Sequence, residues 1–365
     1  MIASSPLSDL LQREWVGKGD IVNSGVAEFC DVLRQEVNGE DEYLQTAVES
    51  YISLLARGGK RTRGILAVTG YEIFDGRNKA AIATAAGVIE AFHAYLLVMD
   101  DVADVSTLRR GGPTAHVFLR DFLARRGMTN HGEKLGIDAA QSAALVAQHK
   151  AQSLFLQIEG VPAAHKIVAA EILNDHLART GAGQVLDILA PSRSDVREDD
   201  ILKIATYKTA YYSFLLPLQV GAALAGASRA ELDIFVDYAT NAGLAFQLQD
   251  DIIGLFGEVA TTGKSSKDDV REGKRTYIMT AALEKAAAAD RAILLAALGS
   301  DVSDEVFAHC LDIVKKTGAL DKTQALVNQY IELALASLQH VPTNWKTHHV
   351  QFLRDFALFA ARRSS

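Results

Sequence analysis

Cysteine and proline are scarce in this chain, with 2 and 6 among 365 residues. Two cysteines, Cys30 and Cys310, are too few for a disulfide framework and suit a reducing compartment. So few prolines, with abundant alanine and hardly any strand-like runs, argue against a β-rich design and for a helical one. No block of five or more basic residues occurs, and a net charge of −8 argues against nucleic acid as a partner. The opening stretch, MIASSPLSDLLQREW, lacks a basic segment followed by an apolar core, so no secretory signal is expected. The long apolar runs are interrupted by Glu90, His93 or Lys285, so no membrane span is expected either. The expected location is the cytoplasm.

What is present suffices for a large core: 49% of the residues are hydrophobic. Residues 1–40 form a weakly patterned lead-in, with one helix expected around Gly25 to Val37. Helical spacing of apolar residues predicts helices over Tyr43–Ala56, Ile65–Tyr71, Lys79–Met99, Ile137–Ile158, Ala163–Leu189 and Leu232–Phe256. A run over Asp199–Gly226 should break at Pro217. Further helices are expected over Lys274–Gly299, Asp304–Thr317, Asp321–Gln339 and Gln351–Ala361. Thr129–Gly136 reads as a loop, and Ser194 as an N-cap for the helix after it. No repeat or linker divides the chain, so residues 41–365 read as one all-α domain.

Chemistry concentrates in EAFHAYLLVMDDVADVSTLRRGGPT, residues 90–114. On a helix Asp100 and Asp104 lie one turn apart, roughly 6 Å, on one face. Alone, such a motif is more often a solvated acidic cap. It becomes a site if a hard divalent cation sits between the carboxylates, since Mg²⁺ prefers oxygen ligands and leaves positions for substrate phosphates. A second acidic pair, Asp250-Asp251, closes Phe246-Gln247-Leu248-Gln249. Gly58-Gly59-Lys60-Arg61-Thr62-Arg63 offers cations at a glycine turn, with Lys60 and Arg63 expected on the next helix's first turn. Lys208 and Thr209 interrupt an apolar run, which is costly unless they are paired. Gly181 to Asp187 likewise sets polar groups on an apolar helix. Gly257 to Ser265 imitates a phosphate-binding loop but has five residues, not four, before its Gly-Lys pair.

Together these motifs resemble the trans-isoprenyl diphosphate synthases, the polyprenyl synthetase family, from about residue 40 onward. The resemblance rests on Asp100-Asp101-Val-Ala-Asp104 with Arg109-Arg110-Gly111, on Phe246 to Asp251, on the glycine-lysine turn and on Lys208-Thr209. It implies a single-domain, isoprenoid-synthase-like helical bundle around a central cavity. The implied enzyme is a Mg²⁺-dependent prenyltransferase joining isopentenyl diphosphate head-to-tail (1'-4) to an allylic diphosphate, working as a homodimer. By the same resemblance Asp100, Asp104 and Asp250 hold three Mg²⁺ ions on the allylic diphosphate, and Arg109, Lys208 and Lys264 complete the clamp. Lys60, Arg63, His93 and Arg110 match the pocket for isopentenyl diphosphate. The carbonyl of Lys208, the Thr209 hydroxyl and Gln247 match the groups beside the developing carbocation. The Gly257 to Gly273 segment and the basic C-terminal tail are candidates for closing the site against water, or else ordinary surface.

Product length in this family is limited by bulky residues below the first motif. By the resemblance Phe92 and Tyr95 are the chain-length residues, although with Met99 they share one stripe at helical spacing, the usual mark of core packing. Tyr95 stands five residues before Asp100, about 7.5 Å along the axis. Leucine rather than a second aromatic follows at Leu96. The implied product is geranylgeranyl diphosphate, C20, with the C15 farnesyl diphosphate as the alternative. The different-class alternative is a non-catalytic partner subunit, but the carboxylates and the arginine pair that such a subunit would lose are kept. Two departures from the family pattern stand out: Gly254 replaces the second motif's last aspartate, and Gln148-His149-Lys150 lies roughly where a Gly-Asp pair is usual.

Overall fold

The computed structural model describes residues 8–193, 195–257 and 266–362, and it is almost wholly helical. In chain order α1 (Asp9–Glu36), α2 (Glu42–Ala56), α3 (Thr62–Ile73) and α4 (Lys79–Ala103) lead to a two-stranded hairpin, β1 (Leu108–Arg109) and β2 (Gly112–Pro113). Then come α5 (Ala115–Arg125), α6 (Gly132–Leu156), α7 (Ala163–Leu189) and α8 (Glu198–Ala205). A π-helical stretch over Thr206–Leu215 leads into α9 (Leu216–Leu224), α10 (Arg229–Asp233) and α11 (Phe235–Phe256). The last elements are α12 (Asp268–Arg271), α13 (Tyr277–Lys285), α14 (Ala288–Ala297), α15 (Asp304–Lys316), α16 (Ala319–Ser337) and α17 (Thr347–Arg362). Ser194, Lys264 and the end of the basic tail lie outside the described residues.

The chain forms two compact units from interleaved segments. One comprises residues 13–173 with 217–228; the other comprises the described parts of 1–12, 174–216 and 229–365. Three of the four boundaries fall inside helices, α1, α7 and α9, and the fourth in the short connection before α10.

In the unit of residues 13–173, α4 is central and packs on α2, α3 and α6, while α5 packs on α6 and α2. Every residue of α4 from Ala81 to Phe92 is buried, the signature of a helix enclosed on all sides. This helix is long and apolar enough to cross a membrane, but 67% of its most apolar window is buried within the protein. The weakly patterned lead-in proves to be a 28-residue helix. Its residues Val22, Phe29 and Leu33 are fully buried, and Lys18, 3% exposed, pairs with Glu14 and Glu72. The interspersed polar residues hid this helix. It crosses α4 at Gly25 and Gly87, where a Cβ on either residue would overlap the other helix's backbone.

In the other unit α11 is central, packed against the π-helical stretch, α13, α16 and α17. The Tyr238 hydroxyl donates to the Leu353 carbonyl at 2.7 Å, and Phe214 meets both Phe246 and Phe356 edge-on. The break expected at Pro217 takes the form of the wide π-helical turns just before it, closed by Leu216 N–H on the Tyr211 carbonyl. The run predicted over Lys274–Gly299 is instead two helices, interrupted at Ala286-Ala287. The helix predicted from Ile137 starts earlier, at Gly132, so the expected loop over Thr129–Gly136 is shorter.

If the contact of α1 with α4 depends on bare backbone, Gly25→Val has nowhere to place its side chain. Denaturant unfolding is expected to show a loss of about 1–3 kcal/mol or more.

Candidate active site

Each unit carries one acidic motif with its own set of polar partners. On α4, Asp100 and Asp101 occupy the last turn, and the Asp104 N–H caps it by donating to the Asp100 carbonyl at 2.8 Å. Asp100 and Asp104 therefore stand one turn apart, as the spacing predicts, and both are half-buried. The chain then turns sharply at Val105, whose φ of 52° is unusual for a β-branched residue. Such a conformation stores about 1–3 kcal/mol and is held by its surroundings. Asp101 points the other way: it is 1% exposed and bound by Arg109, with Nε at 2.7 Å and Nη2 at 2.5 Å. Arg109 Nη2 also lies 3.7 Å from Asp100 Oδ2. Burial alone would lower the Arg109 pKa, but the Asp101 charge and hydrogen bond hold it above its usual value.

The arginine pair sits on a hairpin that periodicity did not reveal. Leu108 pairs with Pro113 and Arg109 with Gly112, leaving Arg110 and Gly111 at the turn with φ of 51° and 72°. Two successive positive φ values are the geometry of a type I′ turn. Arg57, at the end of α2, fixes the hairpin by donating to the carbonyls of Arg109 (3.2 Å) and Pro113 (2.9 Å).

Arg110 returns to the glycine turn: its guanidinium packs against Gly59 and Nη1 donates to the Leu54 carbonyl at 3.1 Å. Helix α3 begins at Thr62, so Arg63 is in its first turn but Lys60 precedes it and is exposed. Arg61, between them, is 7% exposed and turned inward. The charges of Arg63, Arg110, Arg109 and Arg61 all reach His93 on α4. Burial first, and then these four cations, push the His93 imidazole well below its ordinary pKa and keep it neutral. Arg110 is pushed down to about 10, by burial first and by the neighbouring arginines, against the raising charge of Glu90. Of these cations Arg61 is turned inward on Glu90 and Arg109 is held by Asp101, while Arg63 and Arg110 are half-buried. Phe92 is 1% exposed in the core, whereas Tyr95, Leu96 and Met99 are half-buried.

In the other unit, the π-helical stretch carries Lys208 and Thr209, and both find the partners that their apolar setting demands. Lys208 Nζ lies 2.6 Å from Asp187 Oδ2, at the polar end of α7. Thr209 Oγ1 donates to Gln247 Oε1 at 2.7 Å, and Gln247 Nε2 donates to Asp251 Oδ1 at 2.9 Å. The Tyr277 N–H completes the row on Asp251 Oδ2 at 3.1 Å. Asp251 is thus an inward anchor, 6% exposed, while Asp250 is half-buried. Burial pushes Asp251 up to about 7; the Asp269 and Asp250 charges add to this, and the Gln247 and Tyr277 hydrogen bonds oppose it. Asp187 had a sequence signal, as a polar residue on an apolar helix; Arg57 and Tyr277 had none.

No group of three or more His, Cys, Asp or Glu side chains is close enough to hold a metal among the described residues. A Mg²⁺ ion is commonly held by one or two carboxylates, with substrate phosphates and waters supplying the rest. The half-buried pair Asp100 and Asp104, hard oxygen donors one turn apart, fits such a substrate-completed site.

Residues 42–314 match the family model described as Polyprenyl synthetase. The chain is 32% identical over 324 residues to the geranylgeranyl diphosphate synthase of Sulfolobus acidocaldarius, covering 88% of this chain and 90% of that one. It is 27% identical over 340 residues to the short chain isoprenyl diphosphate synthase of Methanothermobacter thermautotrophicus, covering 91% and 98%. The crystal structure of geranylgeranyl pyrophosphate synthase from Corynebacterium glutamicum, complexed with isoprenyl diphosphate and magnesium, matches with a TM-score of 0.89. Identity to it is 29%, covering 95% of this chain and 99% of that one.

Removing one of the cations that depress His93 should raise its pKa. In Arg63→Ala an NMR titration of the imidazole is expected to move up, toward the ordinary histidine value; an unmoved titration would place Arg63 away from it. Phe92→Ala should cost about 3–5 kcal/mol in chemical denaturation, as a large aromatic removed from a sealed core.

Proposed function

The chain belongs to the polyprenyl synthetase family and is a prenyltransferase, and from that premise we propose how its residues divide the work. The reaction is the head-to-tail condensation of isopentenyl diphosphate with an allylic diphosphate, with geranylgeranyl diphosphate as product. The observation that carries this reading is the charge arrangement: a half-buried carboxylate pair at the end of the helix that carries His93, with the half-buried Arg63 and Arg110 acting on that imidazole. Such an arrangement asks for two kinds of phosphate contact, one through metal and one through guanidinium.

Asp100, Asp104 and Asp250 are assigned to the metal-bound allylic diphosphate, with Arg109 and Lys208 as cations of the clamp. Lys264, outside the described residues, is assigned to the same clamp. Bound Mg²⁺, three ions by family pattern, would supply positive charge where the departing diphosphate becomes more negative. Lys60, Arg63, His93 and Arg110 are assigned to isopentenyl diphosphate. The allylic C–O bond breaks, its electron pair leaving with the diphosphate. The double bond of isopentenyl diphosphate then attacks the allylic cation, and a proton passes to the diphosphate just released.

Thr209 and Gln247 bear on the cation. Gln247 gives its amide N–H to Asp251, so its carbonyl oxygen is turned to Thr209, and oxygen dipoles are what an allylic cation requires. No side-chain nucleophile is needed. Tyr95 is assigned the floor of the pocket for the growing tail. Its half-buried position suits that role better than Phe92's sealed one. Leucine at position 96 favours C20 over C15. A homodimer in the cytoplasm completes the proposal; that both cysteines are buried and free is in keeping with a reducing compartment.

Purified protein given Mg²⁺, labelled isopentenyl diphosphate and farnesyl diphosphate is expected to yield a C20 product, and to stop when the metal is chelated. Elongation of no allylic primer would end the proposal. Tyr95→Ala should lengthen the products beyond C20; an unchanged product spectrum would remove Tyr95 from the pocket floor.

A further inference from the structure

Glu90 is the carboxylate around which the glycine turn is built. It is 2% exposed, on the sealed stretch of α4, and both of its oxygens face α3 and the turn before it. Oε1 accepts the Gly64 N–H at 3.0 Å, and Oε2 lies 3.5 Å from Arg61 Nη1. Arg61 is pinned twice more, by Asn23 Oδ1 at 3.2 Å and by the Leu55 carbonyl at 3.0 Å.

These bonds bear on a turn of unusual backbone geometry. Gly58 and Gly59 have φ of 88° and 126°, and Arg61 follows in the left-handed region with φ of 51°. Its side chain makes no capping bond to α3. Helix starts normally draw an acceptor from the N-cap residue to satisfy the first amides. Here the acceptor comes instead from a helix about 26 residues further along the chain.

We infer that Glu90 is the positioning residue of the isopentenyl diphosphate subsite, an assignment that rests on the reading of Lys60, Arg63 and Arg110 given above. It does not touch the substrate. It fixes the turn so that Lys60, before α3, and Arg63, in its first turn, are presented in one arrangement, and it cancels the inward charge of Arg61 meanwhile. Without it the turn must be ordered when substrate binds, which raises KM for that substrate. Because the same helix carries His93, Tyr95, Asp100 and Asp104, Glu90 also ties the turn to the register of α4.

The test is a kinetic comparison of Glu90→Gln, Glu90→Asp and Arg63→Ala, measuring KM for each diphosphate, kcat and the unfolding midpoint. In E90Q the KM for isopentenyl diphosphate is expected to rise about tenfold or more, the loss typical of a hydrogen bond to a charged group. KM for the allylic diphosphate and kcat should stay within about twofold, since that substrate is assigned to other residues. If R63A raises the KM for isopentenyl diphosphate but E90Q does not, the positioning role is wrong and the subsite stands. If R63A leaves that KM unchanged, the subsite assignment itself fails. Equal rises in both KM values with a fall in kcat would mark Glu90 as merely structural and overturn the inference. Should E90Q not fold, E90D keeps the charge with one methylene less reach; its KM for isopentenyl diphosphate must still rise selectively, and an unchanged value overturns the inference.

Discussion

Charge cannot be gathered inside a helical core without a counter-charge, and that constraint shapes the unit around α4. Two buried carboxylates answer it. Glu90, 2% exposed, faces Arg61, and Asp101, 1% exposed, holds Arg109. Taking an ion from water costs several kcal/mol, and in the Glu90–Arg61 pair further hydrogen bonds offset that cost. Arg61 has Asn23 and the Leu55 carbonyl; Glu90 has the Gly64 amide. With these inner charges balanced, Asp100, Asp104, Arg63 and Arg110 stay half-buried. The acidic motif is therefore two kinds of residue written as one: a middle aspartate that anchors the arginine hairpin and outer aspartates, half-buried, to which the proposal gives the cation.

The second unit solves a related problem with a change of helix. Lys208 and Thr209 lie in a stretch whose neighbours Ala210, Tyr212, Ser213 and Phe214 are all buried. In π-helical geometry each turn accommodates an extra residue, and such stretches recur at functional sites. Both polar side chains reach partners on other elements, Asp187 on α7 and Gln247 on α11. The row Thr209, Gln247, Asp251, Tyr277 then joins the stretch to α11 and to the start of α13. Tyr277 continues it by donating its hydroxyl to Glu198 at 2.7 Å, where Lys322 also binds.

Much of this was legible in residue order, and what was not has identifiable causes. The helix over Ala163–Leu189 matches its apolar spacing to the residue, and the outer aspartates match the i,i+4 spacing. Of helix α1 only the half from Gly25 onward was expected; its start at Asp9 escaped because polar residues interrupt the apolar spacing there. The hairpin escaped because its strands are two residues each and its turn places an arginine at positive φ. Glu90 escaped for a deeper reason. A single acid in an apolar helix reads as an interruption, and only its partners on α3 show that it is an anchor. Contacts between distant segments leave no local period to detect.

The same reasoning recasts the departure at Gly254. As a pattern it reads as a missing third carboxylate, one turn after Asp250. In the folded chain the place that a side chain would take is filled: a Cβ on residue 254 would overlap the carboxylate of Asp269, which comes from α12. That short helix is fastened beneath by Val270, 1% exposed, whose carbonyl accepts the Gly299 N–H at 2.8 Å. It is also fastened at its start by Lys267, whose ammonium lies 2.6 Å from Asp304 Oδ1. Glycine at 254 leaves room for the Asp269 carboxylate, so the carboxylate beside that turn is carried by a different element of the chain. Restoring aspartate at 254 alone would set two carboxylates in one space, where like charges repel.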